Sequence, residues 1–180
     1  CPYCAAERWA TIVALSRFGK FTGLQTMASS PSDVAPNTPT FTFVKASYSS
    51  KYIVFTSVES ADVNRNPLQT PTKLEQALLT KYDSAAFFPS LSGNNNLPIP
   101  FLDLGNQFLI SGASYDPGIL AGQTREQIAA GLKSATSPIT QAILAAANYQ
   151  TAAICLLTGG KPGNVCTSAG VKAAAKKLGI

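Results

Sequence analysis

The sequence contains no histidine among its 180 residues. That absence excludes histidine-based general base catalysis, Ser-His-Asp and Cys-His hydrolases, and the common zinc sites with imidazole ligands. Charged residues are also scarce, at 13%, whereas the hydrophobic share of 46% is too high for a disordered chain. No apolar run approaches the ~18–20 residues that span a bilayer. We therefore expect one globular domain over residues 1–180, with no metal or cofactor, whose chemistry uses cysteine, carboxylate, lysine, serine or tyrosine.

Positive charge is concentrated in the C-terminal third of the chain. The 14 Lys and Arg exceed the nine acids by five, and the whole excess lies after residue 126. Such a stripe is typical of a solvated helix face and also suits an anionic membrane surface. No arginine cluster or aromatic interleaving indicates nucleic-acid recognition, so we expect no nucleic-acid partner. The five lysines of this stripe are Lys133, Lys161, Lys172, Lys176 and Lys177.

Four cysteines in two local pairs, together with low charge and abundant small polar residues, are typical of proteins outside the cytoplasm, where disulfides persist. The chain opens directly with Cys-Pro-Tyr-Cys and shows no signal peptide. We therefore expect an exporting or anchoring segment upstream of Cys1. The predicted location is extracytoplasmic, either secreted or membrane-anchored.

The first third of the chain predicts a helix followed by strands. Apolar residues recur at helical spacing over residues 1–18, and Gly19 follows as a stop signal. Residues 28–39 contain three prolines and predict a loop. Two runs rich in β-branched and aromatic residues then predict strands at Thr40–Val44 and Tyr52–Val58.

The middle of the chain predicts an insertion and a hairpin. Residues 60–96 are interpreted as an inserted helical and loop segment, with a helix opening at Thr70-Pro71 and an exposed loop over 92–96. Residues 97–104 and 107–111 flank Gly105-Asn106, which predicts a hairpin with a type II′ turn.

Helices dominate the last part of the sequence. A capping box at Thr124–Gln127 predicts one helix, and Ser137-Pro138 begins a longer one that Gly159-Gly160 ends. A short lysine-bearing helix is expected over about 168–178. Residues 137–180 are therefore interpreted as a C-terminal helical extension.

Cys1-Pro2-Tyr3-Cys4 carries the chemistry of the sequence. Two thiols at the first turn of a helix are close enough to join, and the helix N-terminus stabilises a thiolate at Cys1. Cys1 is then the attacking nucleophile and Cys4 the resolving thiol. Pro2 fits the first turn because it has no N–H to lose. Two alternatives remain open, a structural disulfide and half of a zinc site completed by Cys155 and Cys166.

The chain resembles the thioredoxin-like superfamily in its motifs and their order. Cys1-Pro-Tyr-Cys4 opens a helix, and Ile99-Pro100-Phe-Leu-Asp-Leu, a Gly-Asn turn and Gln107-Phe-Leu-Ile-Ser-Gly112 follow about a hundred residues later. The longer string from Cys1 through Gly19, with Ile154-Cys-Leu-Leu-Thr-Gly-Gly160, is similar to an uncharacterised family of exported or membrane-anchored bacterial and archaeal thioredoxin-like proteins.

The resemblance implies an α/β, thioredoxin-like fold with a helical insertion and extra C-terminal helices. It makes Cys1, Cys4 and Pro100 the catalytic residues, with Pro100 in a cis peptide bond. Ile99 would pair its backbone with an incoming peptide, and Pro2 and Tyr3 would contribute to substrate binding. One departure is that the superfamily has a central strand before its CxxC helix, and this sequence has none there.

Two carboxylates and the second cysteine pair complete the candidates. Glu59 is either a proton acceptor for Cys4 or an exposed carboxylate at a strand end, and Glu7 is explained by the dipole of its helix. A flexible Gly-rich return separates Cys155 from Cys166, so we expect a structural disulfide there, the alternative being a second redox relay.

The expected function is thiol-disulfide exchange outside the cytoplasm, with protein thiols or disulfides or small thiols as partners. The direction of exchange is left open, because the reduction potential of a CxxC pair depends on its surroundings. The alternative is a redox-inactive binding or scaffold module at the cell surface, in which the CxxC pair is no longer turned over.

Overall fold

A computed structural model describes residues 1–89 and 98–180 of the protein. Within these ranges the chain has a mixed α/β architecture of six α-helices and three two-stranded antiparallel sheets. None of the described helices combines the length and hydropathy needed to cross a bilayer. In chain order the elements are α1 Pro2–Ser16, β1 Gly19–Thr22, β2 Gln25–Ala28, β3 Pro39–Thr42, β4 Ser47–Ser50, α2 Lys73–Tyr82, β5 Phe101–Leu104, β6 Phe108–Ser111, α3 Arg125–Gly131, α4 Pro138–Leu157, α5 Gly163–Cys166 and α6 Ala169–Leu178.

The core forms around α1 and α4. The facing surfaces of these two helices are lined by small buried residues, among them Ala10, Ala14 and Ala147. Side chains this small let the two backbones approach closely, and they lose almost no rotamer entropy when buried. The first helix predicted from the cysteines therefore forms the centre of the molecule.

Larger side chains complete the core around the middle and the C-terminal end of α1. In the middle, Trp9 packs with Ile128 and Ile143, and the Trp9 indole N–H donates to the Pro39 carbonyl at 2.9 Å. Near its end, Leu15 and Phe18 pack against residues of α4 and α6. The C-terminal helices are thus joined to α1 through the core.

The predicted hairpin is present, with a different turn. Strands β5 and β6 pair from Phe101↔Ser111 to Leu104↔Phe108. Both Gly105 and Asn106 have positive φ, at 62° and 59°, which is the pattern of a type I′ turn and corrects the type II′ expectation. The Asp103 carboxylate accepts from the Asn106 N–H at 2.7 Å and helps to hold Asn106 in the left-handed region.

The second predicted strand, Tyr52–Val58, is wrong. Burial does alternate along this segment, since Ile53 and Phe55 are half-buried and Val54 is 92% exposed. Within residues 1–89 and 98–180, however, none of its residues pairs with a strand. The alternation predicted the exposure correctly, but a ladder also needs a neighbouring strand. Strand β3 overlaps the predicted Thr40–Val44, and β1, β2 and β4 had not been expected.

The predicted helices are found close to their expected starts. Helix α2 begins two residues after Pro71, where Thr72 and Glu75 form a capping box, and the expected box at Thr124 caps α3. Helix α4 begins with Pro138, as predicted. The expected exposed loop over 92–96 lies outside the described residues.

Candidate redox site

Cys1 and Cys4 form a disulfide at the N-terminus of α1. Cys1 is the N-cap residue, and its Sγ accepts from the Cys4 backbone N–H at 3.1 Å. This N–H is one of the donors that the first helical turn leaves without a carbonyl partner. Cys1 is exposed and Cys4 is half-buried. The Cys1 side chain is 24% exposed, and its sulfur is the one that accepts this hydrogen bond at the helix terminus.

The Ile99-Pro100 segment lies beside this disulfide. The Ile99–Pro100 peptide bond is cis, and the Ile99 carbonyl oxygen lies 3.9 Å from Cys1 Sγ. The Ile99 side chain is 58% exposed. The fold thus brings the Cys1–Cys4 disulfide and the Ile99-Pro100 segment together across almost a hundred residues of sequence, through the contact of Cys1 with Ile99.

Hydrogen bonds from β6 fix the segment in place. The Gly112 N–H donates to the Pro100 carbonyl at 2.8 Å. The Ser111 hydroxyl lies 3.0 Å from the Pro98 carbonyl and 2.9 Å from the buried Asp83 carboxylate. Burial raises the pKa of Asp83, and the hydrogen bond with Ser111 opposes this rise. The hairpin and the end of α2 therefore meet behind the candidate site.

The two residues between the cysteines have different surroundings. Tyr3 is 44% exposed and can touch a bound partner. Pro2, which was expected to contribute to substrate binding, is less than 2% exposed, because it packs into the first turn of α1. Within the motif, Cys1 and Tyr3 are the exposed residues.

A third segment, which sequence reasoning had treated only as a loop, also reaches the site. Residues 29–38, here called the rim loop, connect β2 to β3. Within the rim loop, Asp33 Oδ2 lies 3.7 Å from the backbone nitrogen of Cys1, and the neighbouring Val34 is 77% exposed. Nothing in the Pro- and Ser-rich composition of this loop indicates that it borders the cysteines.

Glu7 is a buried carboxylate one helical turn after Cys4, where sequence reasoning had invoked only the helix dipole. It is 1% exposed, and it accepts from the Ser114 N–H at 2.7 Å and from the Gln150 side-chain amide at 2.7 Å. The Ser114 hydroxyl also donates to it, at 3.0 Å. Burial raises the pKa of Glu7, and these hydrogen bonds oppose the rise. A buried acid therefore joins α1 to α4 beneath the candidate site.

Glu59 is not the exposed carboxylate that the sequence suggested. It is 7% exposed, forms an ion pair with Arg8 at 3.1 Å, and accepts from the Thr42 hydroxyl and the Phe43 N–H at 2.9 and 2.7 Å. Burial lowers the pKa of Arg8, and the nearby Glu59 charge opposes this effect. Both oxygens of Glu59 are thus engaged in a buried polar network that ties α1 to the end of β3.

The second cysteine pair, Cys155 and Cys166, is also joined as a disulfide. Cys155 packs with Leu15 and Phe18 at the far end of α1, which is about 22 Å long for its 15 residues. The two disulfides therefore lie at opposite ends of one helix. A zinc site formed from all four cysteines would require the two pairs to meet, and here they do not.

The lysines of the C-terminal stripe all lie at the surface. Lys172, Lys176 and Lys177 are exposed on α6, which is held to the core by Val171 and Ala174. Lys176 and Lys177 also complement the negative end of the helix dipole in the last turn.

Comparison with known proteins identifies a family. A family model described as a domain of unknown function, DUF929, matches residues 1–156, which include Cys1, Cys4, Pro100 and Cys155. The curated proteins and the solved structures contain no significant match to the chain.

Proposed function

Because the chain belongs to DUF929, a family described as a domain of unknown function, we propose its function from the geometry of the site. The protein is a thiol-disulfide oxidoreductase with a thioredoxin-like fold, and it acts outside the cytoplasm through Cys1 and Cys4. The observation that carries this proposal is the position of the Cys1 sulfur, which caps α1 and lies beside the Ile99 carbonyl.

The exchange follows from the positions of the two sulfurs. A substrate thiolate attacks Cys1 Sγ, and a mixed disulfide forms as the Cys1–Cys4 bond breaks. Cys4 leaves as a thiolate and takes up a proton. A second substrate thiolate then attacks the substrate sulfur of the mixed disulfide, and Cys1 leaves. The substrate loses two electrons and the cysteine pair gains them, and the reverse sequence reduces a substrate disulfide.

The helix N-terminus favours this chemistry at Cys1 over Cys4. When the pair is reduced, the Cys4 N–H and the unpaired donors of the first turn face the Cys1 sulfur, and they stabilise its thiolate. Cys4 lies further into the helix and is half-buried, so it is suited to the intramolecular step that resolves the mixed disulfide. Exposure and electrostatics therefore both favour Cys1 as the cysteine that exchanges with the substrate and Cys4 as the one that resolves the mixed disulfide.

The thioredoxin-like assignment is supported by the way distant segments meet at the site. A CxxC pair opens the central helix, and an X-Pro segment that precedes an antiparallel hairpin contacts the first cysteine. We expect the backbone of Ile99 to pair with a bound polypeptide, and Tyr3, which is 44% exposed, to contribute to binding. Two disulfides in one chain support an oxidising, extracytoplasmic setting.

Trapping with single-cysteine variants tests the proposal. The Cys4→Ser variant, reduced and mixed with a disulfide-linked peptide, should accumulate a stable mixed disulfide at Cys1, because the resolving thiol is missing. The matched Cys1→Ser variant should trap far less, since its remaining thiol is half-buried. Mass spectrometry identifies the adduct and the modified residue. If neither variant forms an adduct, the protein is a redox-inactive binding module instead.

A further inference from the structure

We propose that Asp83 and Ser111 are positioning residues for the exchange reaction, and that one proton on Asp83 controls their effect. A protonated Asp83 donates to the Ser111 hydroxyl, which can then donate to the Pro98 carbonyl. That second bond keeps the neighbouring Ile99 carbonyl beside Cys1. The inference rests on the proposed function and names a regulation of the same site. Neither the sequence analysis nor the family match assigns a role to Asp83 or Ser111.

Ser111 has one hydroxyl proton and two acceptors within reach. Its Oγ lies 2.9 Å from Asp83 Oδ1 and 3.0 Å from the Pro98 carbonyl oxygen. A hydroxyl carries a single donor, so it cannot donate to both groups at full strength. A carboxylate competes for the proton better than a peptide carbonyl does, because hydrogen bonds to a charged acceptor are stronger. An ionised Asp83 therefore takes the Ser111 proton and leaves the Pro98 carbonyl facing an oxygen lone pair.

A protonated Asp83 removes this competition. Its carboxyl O–H donates to Ser111 Oγ, and the hydroxyl donates onward to the Pro98 carbonyl, so that all three groups are paired. Asp83 is 5% exposed, and burial raises the pKa of its carboxyl while the hydrogen bond with Ser111 opposes the rise. Burial therefore favours the form of Asp83 that completes the hydrogen-bond chain.

The charged groups nearest to Asp83 in the fold have other partners. Within residues 1–89 and 98–180 the Asp83 carboxylate forms no ion pair. On the same helix, the Lys81 ammonium lies 3.0 Å from the hydroxyl of the adjacent tyrosine. Residues 98–102 and 107–112 contain no Asp, Glu, Lys or Arg, and Asp103 accepts from a backbone N–H at the hairpin turn. The protonation of Asp83 is therefore governed by its burial and by its hydroxyl partner.

The bond to Pro98 holds one side of the segment that meets the disulfide. On the other side of Ile99, the Gly112 N–H donates to the Pro100 carbonyl at 2.8 Å. With both bonds in place, the backbone is fixed before and after Ile99. When the Ser111 proton turns to Asp83, only the bond from Gly112 remains.

The position of the Ile99 carbonyl affects the acidity of Cys1. Its oxygen lies 3.9 Å from Cys1 Sγ, within reach of the S–H group when the pair is reduced. An acceptor at this position stabilises the thiol relative to the thiolate. Ionisation of Asp83 should therefore loosen the segment, weaken this contact and make the Cys1 thiol more acidic.

The pH dependence of Cys1 alkylation tests the inference. Reduced wild type, Asp83→Asn and Ser111→Ala are treated with iodoacetamide across a pH series, and mass spectrometry follows the labelling of Cys1. An asparagine keeps a donor beside Ser111 at every pH, whereas the alanine leaves the Pro98 carbonyl unpaired at every pH.

The two variants should depart from the wild type at opposite ends of the series. In acid, where Asp83 is protonated, Asp83→Asn should react like the wild type and Ser111→Ala about threefold faster, a change of the size expected for losing one weak hydrogen bond. Where Asp83 is ionised and the Cys1 thiol still largely protonated, Ser111→Ala should match the wild type and Asp83→Asn should react about threefold more slowly. A purely structural role would instead change the rate equally at every pH.

A hydroxyl at the other end of α1 provides the control. Ser50→Ala removes a donor to the Phe18 carbonyl and should follow the wild type across the series. If Ser111→Ala fails to fold by circular dichroism, Asp83→Asn decides the question, because it must diverge from the wild type as Asp83 ionises.

The outcomes separate the two proposals. Wild-type rates in both variants at every pH, or a constant change that does not depend on pH, would overturn the positioning role of Asp83 and Ser111. Exchange with a peptide disulfide is measured on the same reduced proteins, and its absence in the wild type would instead refute the proposed function.

Discussion

Removing the Cys155–Cys166 disulfide by the double change Cys155→Ala and Cys166→Ala should destabilise the protein without affecting exchange at the redox site. The two cysteines are 11 residues apart, and closing a loop of this size contributes about 3 kcal/mol in the chain-entropy account. Cys155 is 8% exposed, so the lost sulfur also leaves a small gap near Leu15 and Phe18. For a chain of this length, 3 kcal/mol corresponds to a fall in Tm of roughly 6–12 °C.

Removing the other disulfide, Cys1–Cys4, provides the control. Cys1 and Cys4 are only 3 residues apart, so the double change to alanine removes a much shorter loop, worth about 1.6 kcal/mol by the same relation. That variant should melt closer to the wild type and should lose exchange completely. Thermal unfolding and the rate of reaction with a peptide disulfide, measured on both double variants, give a crossed comparison.

Two results would refute this reasoning. If the Cys155 and Cys166 variant keeps its Tm, the bond does not tie the C-terminal helices as the packing indicates. If the same variant stays folded but loses exchange, the second pair is a redox relay and is not a purely structural disulfide.

Two further predictions concern the buried polar groups of α1. Because burial raises the pKa of Glu7, the folded state holds its proton more tightly than the unfolded state, so the wild type should lose stability as pH rises above the ordinary value of 4.5. In urea unfolding measured across pH, the free energy of unfolding of Glu7→Gln should fall less with rising pH than that of the wild type. The same pH dependence in both proteins would contradict a raised pKa at Glu7. Arg8→Leu leaves Glu59 as a buried charge without its cation and should lower the free energy of unfolding by about 3 kcal/mol. A loss below about 1 kcal/mol in urea unfolding would mean that water reaches Glu59.

Local signals were sufficient to predict most helices and the proximity of Cys1 and Cys4. The first helix, the capping box at Thr124 and the proline start at Pro138 depend on residues within one or two turns of each other. The CxxC motif is equally local, and its position at a helix start follows from the apolar spacing after it. For these elements the interacting residues are close together in the sequence.

The sheets were harder to predict because a strand depends on a distant neighbour. Strand β1 pairs with β4, whose Ser-Tyr-Ser-Ser sequence has little β-propensity, through the register Gly19↔Ser50 to Thr22↔Ser47. Tyr52–Val58 has the better composition but no partner among the described residues. β-Propensity therefore favoured Tyr52–Val58 over β4, although of the two only β4 is a strand.

The surroundings of the cysteines were unpredictable for a similar reason. Glu7 is buried by Ser114 and Gln150, which are 107 and 143 residues away along the chain. Asp33 reaches Cys1 only because β2 and β3 direct the rim loop back to the start of α1. No spacing rule connects such positions, so sequence reasoning could single out Cys1 and Cys4 but not the groups around them.

The most direct test of the account is a redox titration of the intact protein in glutathione buffers, with both cysteine pairs followed by alkylation and mass spectrometry. Cys1–Cys4 should titrate as a single two-electron couple with a midpoint between about −270 and −120 mV, the range of known exchange catalysts. Cys155–Cys166 should remain oxidised over that range. A Cys1–Cys4 midpoint below about −300 mV, where structural disulfides lie, would contradict the central claim that this pair exchanges with substrates.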